Sequence, residues 1–318
     1  MKQNKISVII PSYKRPKELE KCLIGLKNQK RQADEIIVIY RNNDFKTKKL
    51  IKKKQKQIPN LNHKEVKKPG QIEALNRGLE TVRGDIIAFT DDDAVPHTDW
   101  LKRIEKYFIS DKKIGGVGGK DIIYTKRKKE KKNYKIVGKV QWFGRMIGNH
   151  HLYKNSTCEV DILKGVNMSF RKKAIKNLKF DKRLLGKGAQ VHNELYLCLK
   201  LKKSGWKIIY DPKILVDHYI SQRFDEDKRN QFNKNAFKNA VHNETLSLLE
   251  YFSFLQRTIF LLWAFFVGTR KAFGIIQLFR FLPKEKKIAL TKWIASMEGH
   301  WQGIKTFNKS KNENSNNS

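Results

Sequence analysis

The sequence predicts an α/β fold with a mostly parallel central sheet flanked by helices and a helical, apolar C-terminal extension. Three observations carry that expectation. Short β-branched runs alternate with amphipathic stretches through the first 90 residues. Glycine and proline fall at the joints between them. The longest uncharged run of the chain lies far downstream, at residues 258–269.

Ile6 to Ile10 is a β-branched run closed by Pro11, the pattern of a buried strand. Pro16 then opens a helix whose apolar residues Leu19, Cys22, Leu23 and Leu26 recur at i, i+3, i+4 and i+7. Ile36 to Ile39 is a second buried strand, and Lys46 to Lys56 reads as a solvated helix. Leu75, Gly78, Leu79 and Val82 mark a third helix, stopped at Gly84, before a further strand at Ile86 to Phe89. Strand and helix alternating in this way argue for right-handed crossovers and a parallel sheet. Beyond residue 95 the alternation loosens. Gly115, Gly116, Gly118 and Gly119 predict a flexible, turn-rich segment, and residues 126–135 a charged loop. A helix is expected from Asn193 to Ser204, ending at Gly205, with a short strand at Lys207 to Tyr210. The expected organisation is a catalytic domain over 1–222, a helical, membrane-associated region over 223–307 and a disordered polar tail over 308–318.

The chain of 318 residues is long enough to bury a core without disulfide or metal staples. Lys+Arg number 68 and Asp+Glu 31, so the formal charge is 68 − 31 = +37. That excess suits nucleotides, nucleic acid or acidic lipid. Lysine is spread along the whole chain, however, and a general compositional bias explains it equally well. No helix-turn-helix or aromatic-ribbon motif supports a specific nucleic-acid partner. The three cysteines are widely spaced and form no C-x-x-C pair, which fits a reducing, cytosolic setting. The apolar run before Pro11 is too short for a signal peptide.

The stretch with most chemistry is Thr90-Asp91-Asp92-Asp93-Ala94-Val95. Three carboxylates follow directly on a buried strand, where open α/β sheets bind ligands. Clustered carboxylates repel unless a cation or hydrogen-bond donors neutralise them. Hard oxygen ligands of this kind suit Mg²⁺ or Mn²⁺. A helix-capping acidic turn needs only one aspartate, not three. Two enzyme classes place D-x-D after a strand: haloacid-dehalogenase-like phosphatases, in which Asp91 would be a nucleophile, and nucleotide-sugar glycosyltransferases, in which the carboxylates hold a metal against a diphosphate. The complete βαβα unit ahead of the motif favours the second.

Further motifs stand in order around it: Val8-Ile9-Ile10-Pro11-Ser12-Tyr13-Lys14-Arg15-Pro16; Pro69-Gly70-Gln71 with Ala74-Leu75-Asn76-Arg77-Gly78; Lys164-Gly165-Val166-Asn167-Met168-Ser169-Phe170-Arg171; and Glu194 ahead of Cys198-Leu199 and Gly205-Trp206. Over about residues 5 to 220 the chain resembles the family 2 inverting glycosyltransferases of GT-A fold. The resemblance implies a metal-dependent transfer from a nucleoside-diphosphate sugar, a UDP-sugar first, to a glycan or lipid-linked acceptor. It implies Asp93 and Asp91 as metal ligands, completed by His218, and Glu194 as general base. Pro11, Tyr13, Arg15, Gln71, Asn76 and Asp92 would line the nucleotide-sugar pocket, and Gly165 and Asn167 would lie against donor or acceptor. Many members carry paired aspartates after the second strand. Here the segment is Tyr40-Arg41-Asn42-Asn43-Asp44, which makes Asp44 the nearest substitute for contacting base or ribose. The Glu-Asp pair usual around the base appears as Asn193-Glu194. His150, His151 and His192 are weaker ligand candidates than His218.

The run Thr258–Thr269 is twelve residues, short of the roughly 20 that span a bilayer. Its aromatic residues, with Arg257, Arg270, Lys271 and Arg280 around it, instead suggest a helix lying in the interface, with packing on the catalytic domain's own surface as the alternative. An anionic membrane surface, at the inner face of the cell membrane, is therefore the expected location.

Overall fold

The computed structural model describes residues 4–124, 134–153, 155–228 and 231–315. Residues 126–133 of the expected charged loop lie outside that set. The chain divides into two compact units. The first takes residues 1–139, 147–180 and 197–222, and the second 140–146, 181–196 and 223–318. The second unit thus draws in two segments, 140–146 and 181–196, that lie within the range expected for the catalytic domain.

The first unit begins with β1 (Ile6–Ser12), α1 (Pro16–Lys27), β2 (Glu35–Arg41), α2 (Phe45–Gln55), β3 (Leu61–Val66), α3 (Gln71–Thr81), β4 (Ile86–Phe89), β5 (Ala94–Pro96), α4 (Trp100–Ser110) and β6 (Ile114–Tyr124). In chain order there follow a small hairpin, β7 (Lys139–Val140) and β8 (Met146–Ile147), then β9 (Cys158–Glu159), β10 (Met168–Arg171), α5 (Lys172–Ile175), α6 (Asn193–Lys203) and β11 (Lys207–Tyr219), of which residues 140–146 and 193–196 are counted with the second unit. The main sheet has nine strands in the order β3-β2-β1-β4-β10-β6-β11-β5, with β9 also on β11. Pairs β1–β2, β2–β3, β1–β4 and β6–β11 are parallel. Strand β10 runs antiparallel to both β4 and β6, and β5 and β9 run antiparallel to β11. Leu19, Cys22, Leu23 and Leu26 are buried, as their spacing requires, against a core that includes Ile6, Val8, Ile10, Val38 and the fully buried Trp100.

Two expectations fail instructively. The glycine-rich segment is not flexible: it forms β6, an eleven-residue and largely buried strand. A Cβ on Gly119 would come within 2.0 Å of the Ile214 carbonyl oxygen, and one on Gly118 within 2.7 Å of the Asn167 carbonyl oxygen. The glycines let neighbouring backbone approach closely. Strand β3 went unforeseen because it is an edge strand, LNHKEV, burying only Leu61 and Val66; a polar edge of this kind discourages pairing with other chains.

The second unit contains α7 (Lys234–Tyr251), α8 (Phe254–Phe266), a hairpin of β12 (Gly268–Thr269) and β13 (Ala272–Phe273), α9 (Ile275–Glu285) and α10 (Lys287–Ser315). Helices α7 and α10 pack on each other, and every residue from Val241 to Leu249 is buried. His242 Nε2 lies 3.0 Å from Thr306 Oγ1, and Thr245 Oγ1 lies 2.8 Å from His300 Nδ1, so buried polar pairs stitch the two helices. Residues 308–315, expected as disordered tail, continue α10, because the helix already propagating through 287–307 adds one backbone bond for each residue fixed. No helix among the described residues is long and apolar enough to cross a membrane.

Candidate active site

The sheet topology assembles the site. Strand β4 ends at Phe89, and Asp91, Asp92 and Asp93 form the turn into β5. Because β5 pairs with β11 in a register that sets His218 opposite Ala94, the imidazole arrives beside Asp93. The Tyr219 backbone N–H donates to the Asp93 carbonyl at 2.9 Å, which locks that register. Asp91, Asp93 and His218 can each offer one ligand atom, and those atoms lie within 4.8 Å of one another.

Arg15, from the loop after β1, closes one side. Its Nη2 lies 2.6 Å from Asp92 Oδ1 and its Nη1 3.0 Å from Asp93 Oδ2; Nη1 also donates to Ser221 Oγ at 2.8 Å. The Ser221 N–H donates to Asp93 Oδ2 at 3.1 Å. On the other side His218 Nε2 faces Asp93 Oδ1 at 3.4 Å, while its Nδ1 faces Asp121 Oδ2 at 3.4 Å. Lys164 pairs with the fully buried Asp121. A cavity of about 260 Å³ opens beside Asp93, lined by Glu18, Lys21, Val95, Tyr124, Tyr219 and Ser221 among others.

Burial would lift the Asp93 carboxyl, but the neighbouring His218, the Arg15 charge and the Ser221 N–H outweigh it and hold the group below the usual carboxylate range. Asp121 is likewise held low, burial being overcome by His218 and Lys164. Burial pushes His218 down, yet its contacts with Asp121 and Asp93 outweigh this and raise it to about 9. Asp92 is the exception. Fully buried, it rises to about 7 against the pull of Arg15.

The residues present fit a hard divalent cation. Two carboxylates and an imidazole converge, and the buried His218 Nε2 points at Asp93 without completing a well-aligned hydrogen bond among the described residues. Asp91, Asp93 and His218 are the groups that would hold such an ion.

Of the other expected residues, Pro11 lies on β1, opposite Ile39, and Tyr13 stacks beneath the Arg41 guanidinium at 3.8 Å. Gln71 opens α3. At Gly165 nothing lies within 4 Å of where a Cβ would stand. Asp44 plays a structural part. It caps α2, accepting from Thr47 N at 3.1 Å and Thr47 Oγ1 at 2.7 Å, and it accepts the Lys14 N–H as well. Asn76 is buried rather than solvated. Its amide exchanges two 2.9 Å bonds with the Phe180 backbone, which leaves it committed to holding that segment. Asn167 is committed in the same way, accepting from Trp100 Nε1 at 2.9 Å and donating to the Ile214 carbonyl at 3.0 Å. His150 is a core histidine 3.0 Å from the Ile162 carbonyl.

Glu194 stands in the first turn of α6, in the part of that helix belonging to the second unit. There Asn243 of α7 clasps the preceding loop: its amide donates to the Leu185 and Val191 carbonyls, both at 2.9 Å, and accepts from the Leu185 N–H at 2.7 Å. Sequence reasoning gave no role to Asp121, Lys164, Ser221 or Asn243. An aspartate in the middle of a glycine-rich apolar strand was the one available signal for Asp121.

Comparison with known proteins now decides between the two D-x-D classes. The description "Glycosyl transferase family 2" matches residues 7–179. The chain belongs to this family. Among curated relatives, a stretch of 101 residues is 33% identical to Glycosyltransferase AglE of Haloferax volcanii, and one of 124 residues is 34% identical to a Methanococcus voltae protein. The latter is named dolichyl N-acetyl-alpha-D-glucosaminyl phosphate 3-beta-D-2,3-diacetamido-2,3-dideoxy-beta-D-glucuronosyltransferase. These matches take in 31% and 36% of this chain, and 33% and 39% of the relatives' own lengths. Among solved structures, residues 1–349 of S. aureus TarS in complex with UDP-GlcNAc align over 94% of this chain and 81% of that one, with a TM-score of 0.63 at 17% identity. The mannosyltransferase PcManGT of Pyrobaculum calidifontis, in complex with GDP-Man and Mn²⁺, aligns over 96% and 88%, with a TM-score of 0.54 at 16% identity. At such identities the likeness speaks for the fold, the mixed α/β architecture of GT-A family 2 glycosyltransferases.

Proposed function

We propose that this family 2 chain moves a sugar from a nucleoside-diphosphate donor, a UDP-sugar before a GDP-sugar, to a glycan or lipid-linked acceptor, with inversion. The observation that carries the reading is the Asp91–Asp93–His218 group at the carboxyl end of β4, with Asp93 and His218 buried and Asp91 partly so. The UDP-GlcNAc and the GDP-Man with Mn²⁺ named for the two solved structures, and the dolichyl-phosphate-linked substrate named for the Methanococcus relative, support the choice of donor, ion and acceptor class.

In the proposed displacement the acceptor oxygen forms its bond to the anomeric carbon as the bond from that carbon to the diphosphate oxygen breaks. The electron pair leaves with the diphosphate. Mn²⁺ or Mg²⁺, when bound, supplies a Lewis acid for that developing charge. Arg15 keeps Asp92 and Asp93 in place and lends positive charge near the diphosphate. Glu194 takes the acceptor proton; its place in the first turn of α6 favours the ionised form, because the N-terminal end of a helix is partially positive. Pro11, Tyr13 and Asp44 shape the nucleotide end, Gln71 adds a polar group, and open Gly165 leaves room for the donor sugar. We propose the cytoplasmic face of the cell membrane as the place of this work.

Calorimetry of UDP- and GDP-sugars, with and without Mn²⁺, tests the reading. Saturable donor binding that needs the ion and is lost in Asp93→Ala is the expected result. Absence of heat with every donor and both ions would sink the proposal. Glu194→Gln should then lower kcat by about 10²–10⁴ with the donor Kd unchanged, and unchanged turnover removes Glu194 from its role.

A further inference from the structure

Helices α8 and α9 of the second unit pack on each other and on the β12–β13 hairpin, yet both leave an apolar face uncovered. On α8, Phe254, Leu255, Leu262 and Phe265 are 82, 65, 54 and 43% exposed, and on α9 Ile276 and Phe279 are 53 and 67% exposed. On α8, Leu255, Leu262 and Phe265 stand at i, i+7 and i+10 with Thr258 between them, so they share one face of the helix rather than being scattered. Helix α9 buries none of its residues. Patches of this kind on soluble proteins mark interaction sites.

Charge identifies what covers it. Between Ser253 and Lys292 stand Arg257, Arg270, Lys271, Arg280, Lys284, Lys286, Lys287 and Lys292 against a single acid, Glu285, so the segment carries 8 − 1 = +7. A second copy docking through the same face would set one such cationic rim against another. Spanning is excluded by length: helices of 13 and 11 residues reach only about 20 Å and 16 Å at 1.5 Å per residue, against a hydrocarbon core of about 30 Å. An apolar stripe with a cationic border is the pattern of a helix lying in the plane of an anionic leaflet, its aromatic side chains in the acyl boundary and its lysines among the headgroup phosphates.

We infer that α8 and α9 form a monotopic docking face for an anionic lipid bilayer. The face is separate from the sugar-transfer reading, since vesicle binding needs neither donor nor ion; either can fail alone.

The test is flotation of the full chain with vesicles of phosphatidylcholine, with and without phosphatidylglycerol, alongside size-exclusion chromatography. Binding to the anionic vesicles is expected. Phe254→Ser, Phe265→Ser and Phe279→Ser together should weaken it at least about tenfold, and Arg280→Gln, Lys284→Gln, Lys286→Gln and Lys287→Gln together by a similar factor. Circular dichroism checks that each variant is folded; should the triple variant unfold, Phe254→Ser alone should still weaken binding about threefold. Three results overturn the inference: no binding to either vesicle, binding unaffected by the serine substitutions, or a dimer in solution that those substitutions dissociate.

Discussion

Two buried clusters, one in each unit, hold the same kinds of group in opposite states. In the first unit Asp93 and His218 face each other at 3.4 Å, and both are charged until a cation takes the place of the imidazole proton. In the second, Glu244 and His192 stand 3.8 Å apart, the carboxylate buried and the imidazole largely so. There burial raises the Glu244 carboxyl to about 7, against the opposing charge of Lys271, and pushes the His192 imidazole down to about 3. The distances differ little. What differs is the company: Asp93 has Arg15 and the Ser221 N–H as well as His218, and His218 has Asp121, itself braced by Lys164. A buried ion pair keeps its charges when each partner has further donors or counter-charges, and otherwise both members go neutral. The first arrangement presents carboxylates to a cation; the second behaves as a polar element of the core.

The largest effect that would sharpen this contrast is at Asp93. Asp93→Asn keeps the shape but removes the charge shared by Arg15 and His218. Transfer should fall by at least about 10³, as for loss of a central electrostatic group, and the Mn²⁺-dependent heat should vanish. Transfer within tenfold of the native rate would break the assignment. Next comes Asp121→Asn, which leaves Lys164 and His218 without their buried carboxylate. Removing one partner of a buried pair costs about 3–5 kcal/mol, so urea unfolding should show a lower midpoint with an unchanged slope; an unaltered midpoint would mean that Asp121 braces nothing.

The opposite sign is expected in the second cluster. The folded-state pKa of Glu244 lies above its unfolded value of 4.5, at about 7. The group therefore contributes its full stability below pH 4.5 and loses it as pH rises through 7. Glu244→Gln carries no such loss. Relative to the native chain it should gain on the order of 3 kcal/mol between pH 4.5 and 8, seen as a Tm advantage of roughly 5 °C that appears at pH 8 and is absent at pH 4.5. A difference independent of pH would show that Glu244 stays ionised against His192, and the contrast between the clusters would go.

Much of the first cluster was legible in the sequence, because three adjacent aspartates after a buried strand demand neutralisation whatever the fold. His218 was legible only through its family position, since no spacing rule connects it to Asp93 across more than a hundred residues; the β5–β11 register does that. Asp121 was hidden by the glycines around it, which read as flexibility but permit close strand packing. Asn76 and Asn167 stood inside recognisable motifs that suggested ligand contacts, while the backbone bonds they also make could be read only from the fold. The Glu244–His192 pair had no sequence signal at all, because it joins a loop to the middle of a helix.

Asp44 offers the finest test, as a buried carboxylate satisfied by neutral donors alone. It receives Thr47 N–H and Oγ1 at the start of α2 and the N–H of Lys14, whose φ of +56° lies in the left-handed region. A lysine is held there only when its surroundings impose it, and Arg15 is the next residue. Asp44→Asn retains an oxygen for the Thr47 N–H but turns an amide N–H₂ toward the Lys14 N–H, so one anchor of the loop becomes a repulsion. The expected loss is about 1–2 kcal/mol of stability, read as a lower urea midpoint. Metal affinity should fall less than in Asp93→Asn, since Arg15 is displaced rather than deprived of its partner. If Asp44→Asn leaves stability untouched while donor binding fails, Asp44 reads the nucleotide directly and its capping contacts are incidental. If stability falls and the donor still binds, neutral donors suffice for a buried carboxylate whose work is to hold a loop.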